Sequence, residues 1–163
     1  MISLVNETID VAVVFFAVVY YAFLCLIYII RAFGNDKLEL ALAPVFSIQL
    51  AWFAVLWGAN LFMGGDVPRL VTLLPIIIYL VYDLWYRLIT RLKPVHHPKK
   101  WPAGLVVYLI LLMVGSIALN WYGYLVSPLY GRVLTACFFI MLGCYGFYQN
   151  RHDRKMRTAA DAQ

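Results

Sequence analysis

From Val11 to Ile30 the chain runs without a single charged residue. At a rise of 1.5 Å per residue, about 20 apolar residues reach across the roughly 30 Å hydrocarbon layer of a bilayer. No other feature limits the fold so strongly, and the sequence repeats it. Further apolar runs cover 42–63, 70–89, 103–122 and 130–148; Gln49 and Asn60 are the most polar members of the second, and Asp83 and Arg87 lie inside the third. None of these runs alternates polar and apolar positions, as a membrane β-barrel strand must. The pattern predicts an all-α, polytopic membrane protein that is a bundle of five transmembrane helices at 11–30, 42–63, 70–89, 103–122 and 130–148. Residues 1–163 form one membrane domain in this reading, with a basic cytoplasmic tail at 149–163. The fifth run is the weakest of the set, because Arg132 interrupts it near its start.

Composition agrees with this reading. Hydrophobic residues make up 64% of the chain and charged ones 13%, with mean hydropathy +0.82, too few charges for the shell of a soluble domain. Pro44 is expected near the start of its helix, where a missing amide proton is tolerated, and Pro75 inside the third, where neighbouring groups absorb the freed carbonyl. The connections, 31–41, 64–69, 90–102 and 123–129, leave no room for a second domain.

Charge placement predicts the orientation. With five crossings the two ends lie on opposite sides. If the amino terminus is outside, eleven of the thirteen Lys and Arg residues fall on the inner side, leaving only Arg69 and Arg132 outside. That is the bias the positive-inside rule describes, and it points to a multi-pass protein of a cell membrane. The same segregation accounts for the net charge of +5 without nucleic acid: basic residues at the inner boundary attract anionic lipid headgroups, and such short loops build no nucleic-acid surface. The leader MISLVNETID is acidic and the run after it exceeds a signal-peptide core, so the first helix reads as an anchor. Asn6-Glu7-Thr8 has the form of a glycosylation sequon but sits too close to the membrane to be read as one.

The third run holds the strongest candidate site. Thr72, Tyr79, Asp83, Tyr86 and Thr90 recur at helical spacing along one stripe, and Arg87 follows Asp83 by four residues, so those two side chains can meet. Ionisable groups inside a membrane span are functional candidates by default. The candidate intramembrane polar site is therefore Asp83, Arg87, Tyr79 and Tyr86, a place for proton handling or anion binding. The structural alternative is that Arg87 extends to the inner interface while Asp83 neutralises it and ties helices together. Arg91, Lys93, Lys99 and Lys100 form a candidate anionic headgroup site beside it.

Other constellations carry less. His96 and His97 are adjacent, His152 lies in the tail, and no third or fourth ligand has metal-site spacing, so no metal is expected. Cys137, Met141 and Cys144 form a sulfur stripe down the fifth run, of a kind that suits Cu(I), but cysteines on membrane helices mostly serve close packing. Ala54 and Gly58, Gly115 and Ser116, and Gly143 and Gly146 mark surfaces where helices can approach closely. Most of the tryptophans and tyrosines fall near run ends, as an aromatic belt requires; Trp52 and Trp57 lie deeper. Walker, G-x-G-x-x-G, G-x-S-x-G and H-E-x-x-H signatures are all missing, and no cofactor is expected.

Three functions fit these features. The first is a non-catalytic subunit or regulator of a membrane complex, its partners being the lipid bilayer and a protein partner or a second copy. The second is a small oligomeric transporter or channel that uses the Asp83 and Arg87 stripe. The third is an intramembrane enzyme acting on a lipid or isoprenoid headgroup at the cytoplasmic interface, for which a second carboxylate or a histidine at the depth of Asp83 is missing.

Overall fold

Backbone amides and carbonyls in hydrocarbon must bond within their own segment, so long apolar runs become helices. The computed structural model describes residues 2–90 and 103–161, and there the chain is all-helical: α1 (Ile2–Phe33), α2 (Asp36–Phe62), α3 (Val67–Thr90), α4 (Ala103–Val126) and α5 (Pro128–Asp161). Four stretches are long and apolar enough to cross a membrane: Glu7–Phe33, Val67–Trp85, Val106–Val126 and Pro128–Arg154. In α2 the apolar stretch among the described residues is Ser47–Phe62. The fifth run, expected to be the weakest, is thus one of the four. Arg132 lies exposed near the start of α5, where its head can reach the interface and leave the remaining length apolar.

The helices run further than the apolar pattern alone predicts, and the connections shrink accordingly. Polar residues at the ends stay helical because the backbone bonds remain satisfied there. Gly34 ends α1 at φ 74°, and Asn35 starts α2 by accepting a hydrogen bond from the Leu38 amide at 3.2 Å. Helix α2 therefore begins well before Pro44, which sits inside the helix rather than near its start. Ser127 alone separates α4 from α5; its hydroxyl accepts from the Leu129 amide at 3.3 Å, and Pro128 takes the first helical position.

Each helix packs against the next in the chain, α5 closes back on α1, and α1 leans inward to reach α4. The result is a ring, in which α1 and α3 do not adjoin. Two glycines set close approaches within it. A methyl group on Gly115 would lie 3.2 Å from the Ile76 Cα, and one on Gly123 3.1 Å from the backbone of Gly131. Val13, Ala17, Tyr20, Tyr21 and Leu24 of α1 meet Leu73, Ile76 and Tyr79 of α3, Leu119 and Tyr122 of α4 and Leu134 of α5 in the core. The outer surface is apolar, with Phe15, Phe62, Trp121 and Ile140 exposed. A surface so apolar belongs in lipid, and this is a membrane protein.

Candidate functional site

The ring turns its polar side chains inward. Asp10, Glu39, Gln49, Asn60, Asp83 and Ser116 are all buried, in a molecule whose exterior is apolar. A polar group facing hydrocarbon lacks any partner, so these residues of α1 to α4 are kept from the outer surface.

At the amino-terminal end of α1, three helices meet over one carboxylate. Tyr122 of α4 donates its hydroxyl to Asp10 Oδ1 at 2.6 Å, while the Arg69 guanidinium of α3 is ion-paired with Oδ2. Arg69 also reaches Asp66 at 3.6 Å. A cavity of about 570 Å³ opens beside this cluster, lined by Glu7, Asp10, Arg69, Ser127 and Tyr130 among others.

Deeper in the bundle the polar groups are tyrosines. The Tyr21 hydroxyl donates to the Ser116 carbonyl at 2.8 Å and lies 3.0 Å from Asn120 Oδ1. Tyr20 is fully buried beside Ser116 and edge-on to Tyr79, and neither the Tyr20 hydroxyl nor Ser116 Oγ has a well-formed hydrogen bond. The hydroxyls of Tyr79 and Tyr108 join α3 to α4 at 2.9 Å, and Asp83, 1% exposed, lies one turn further along α3. At the opposite end from Asp10, Arg31 holds Glu39 through Nε at 3.0 Å and Nη2 at 2.7 Å, with both side chains about one-tenth exposed.

Of the residues singled out from sequence, Tyr79 and Asp83 lie on this interior stripe. Thr72 does not: it is only half-buried, and its hydroxyl turns back to the Pro68 carbonyl of its own helix. Tyr86 and Arg87 lie on α3, and their side chains are outside the described residues, as are Arg91, Lys93, His96, His97, Lys99 and Lys100 altogether. On α5, Met141 is buried and Cys137 and Cys144 are half-buried; the Cys144 thiol meets that of Cys25 on α1. Among the described residues no group of His, Cys, Asp and Glu has a metal-binding arrangement. Trp52 stacks on Phe16 with centroids 4.9 Å apart, and Trp57 donates to the Leu70 carbonyl at 3.0 Å, so both tie helices together.

Sequence reasoning passed over Asp10, Tyr122 and the Arg31–Glu39 pair. A signal for the first existed: Asp10 and Arg69 carry opposite charges and border apolar runs at the same end of the bundle. No protein-family model matches this chain, and neither the curated proteins nor the solved structures yield a match.

Proposed function

We propose that this chain crosses a cell membrane five times, amino end outside and carboxyl end in the cytoplasm, as a non-catalytic subunit or regulator of a membrane complex. Counting α2 as a crossing is supported by its 27 residues, about 40 Å of helix at 1.5 Å per residue. The orientation is supported by the eleven of thirteen basic residues it places inside.

One observation carries the subunit reading. Helical glycines among the described residues differ in what lies beside them. Gly115 and Gly123 are occupied by neighbouring helices, whereas a methyl group at Gly58, Gly143 or Gly146 would meet nothing within 4 Å. Gly143 is exposed on α5 between Phe139, Ile140 and Phe147, which leaves a shallow notch with aromatic and branched rims facing away from the bundle. Small residues on a lipid-facing surface let a second helix come to close packing distance. Gly58 and the exposed Ala54 give α2 a similar face.

Purification in a mild detergent at native expression tests this. A co-purifying protein or a second copy is expected, and it should be lost on Gly143→Leu together with Gly146→Leu while the chain itself stays folded. A solitary chain from native membranes, or association unchanged by both substitutions, contradicts the reading.

A further inference from the structure

Helix packing alone does not call for the interior of this ring. Leucine or phenylalanine at the same positions would fill the space without burying oxygen atoms, which is unfavourable unless each finds a partner. Here hydroxyl and carboxyl groups recur at several depths among buried apolar side chains. The Tyr122 hydroxyl sits on Asp10, the Tyr21 hydroxyl lies between Asn120 Oδ1 and the Ser116 backbone carbonyl, Tyr20 stands beside Ser116 and against Tyr79, and Tyr79 is bonded to Tyr108. The column has a carboxyl group towards each end, Asp10 beside the 570 Å³ cavity and Asp83 near the cytoplasmic end of α3, both at most 4% exposed. At mid-depth, the Tyr20 hydroxyl and Ser116 Oγ are buried and unpartnered, so each is able to rotate and both to accept and to donate.

We propose that the protein conducts protons through this column, between the outer cavity at Asp10 and Asp83 on the cytoplasmic side. The proposal goes beyond the subunit reading and does not depend on it. A proton arriving from the cavity binds the Asp10 carboxylate. The hydroxyl oxygens of Tyr122, Tyr20, Ser116, Tyr79 and Tyr108 each accept a proton from one side and release their own to the next acceptor, with water molecules carrying it across the separations between them, while the Tyr21 hydroxyl stays on the Ser116 carbonyl and takes no part. Asp83 receives the proton and releases it inward. Only O–H bonds form and break, each hydroxyl ends as it began once it has rotated back, and one positive charge crosses per proton. Arg69 does not stand as a bare cation at the mouth, because it is paired with Asp10 and lies 3.6 Å from Asp66, and Glu7 lines the same cavity.

The test uses the full chain reconstituted in phosphatidylcholine and phosphatidylglycerol vesicles that hold a trapped pH dye. A potassium diffusion potential imposed with valinomycin then drives protons inward. Acidification several-fold faster than in protein-free vesicles is expected. Asp83→Asn and Tyr20→Phe should each remove at least nine-tenths of the protein-dependent rate, while Tyr124→Phe, at an exposed position, leaves it unchanged. Tyr20→Phe is the decisive variant: its hydroxyl makes no well-formed hydrogen bond to the protein, so its removal spares the fold, which circular dichroism verifies. Flux no greater than in protein-free vesicles, or wild-type flux in either variant, overturns the proposal. Neither result bears on partner binding through Gly143, which is read by co-purification.

Discussion

Asp10 on α1 and Arg69 on α3 form an ion pair although their helices do not adjoin in the ring. The arginine reaches across the mouth of the bundle to a buried carboxylate, and Tyr122 from α4 donates to the second oxygen. Three helices are fixed to one buried charge at the end of the bundle where α2 gives way to α3.

Removing one partner of a buried ion pair leaves the other without compensation. Arg69→Ala is expected to destabilise the bundle by about 3 kcal/mol, the lower end of the usual range because the arginine is itself 25% exposed. The double variant Arg69→Ala with Asp10→Ala should cost clearly less than the two single changes combined. Unfolding in mixed micelles by a denaturing detergent measures both. Strict additivity would show that the pair is not coupled.

At the other end of α1, Nε and Nη2 of Arg31 engage one oxygen of Glu39, and the Arg31 head lies 6.0 Å from the centre of the Tyr28 ring. Glu39→Ala should destabilise by about 3–5 kcal/mol, since it strands a guanidinium that is largely buried. Arg31→Lys should recover little of a loss at Arg31, because an ammonium cannot reproduce that fork. Thermal aggregation in a mild detergent ranks the three proteins.

Packed and unpacked glycines should respond oppositely. Gly123→Ala pushes a methyl group against Leu134 and the Gly131 backbone and should cost about 1–3 kcal/mol by overpacking α4 against α5. Gly143→Ala meets open space and should leave the isolated chain as stable as before or better by about 0.5–1 kcal/mol through reduced backbone freedom. Equal losses at both positions would mean that Gly143 already packs inside the bundle.

Tyr21→Phe removes a hydroxyl that serves the Ser116 carbonyl and Asn120 at once, and a loss of about 0.6–2 kcal/mol is expected. Tyr20→Phe removes an unpartnered hydroxyl and should be neutral or stabilising. Paired unfolding measurements on these adjacent residues separate a bonded tyrosine from an unbonded one. A larger loss at Tyr20 would reverse the assignment.

What could be read from the chain follows from how local each cause is. The charge-free run after Asp10 marks α1 because membrane length is a property of consecutive residues. Tyr79 and Asp83 share a face because they are one turn apart on a single helix, which spacing alone reveals. Thr72 misled for a related reason: a hydroxyl on a stripe can be satisfied by its own helix, as the Pro68 carbonyl satisfies this one. The Asp10, Arg69 and Tyr122 cluster draws one residue from each of three distant runs, and nothing local says which helices share a mouth. Gly115 and Gly143 look alike in sequence, yet only the packing of α4 on α3, and of α5 on α1 and α4, decides which of them faces a neighbour.

The number of crossings decides the rest of the account, and the sidedness of the two chain ends measures it directly. In a background with Cys25, Cys137 and Cys144 replaced by serine, a single cysteine is placed at one end or the other and exposed to a membrane-impermeant maleimide. Five crossings predict labelling of the amino end on intact cells and of the carboxyl end only after the membrane is opened. Both ends labelled from the same side would mean that α2 does not cross, and would contradict the five-span arrangement and the orientation built on it.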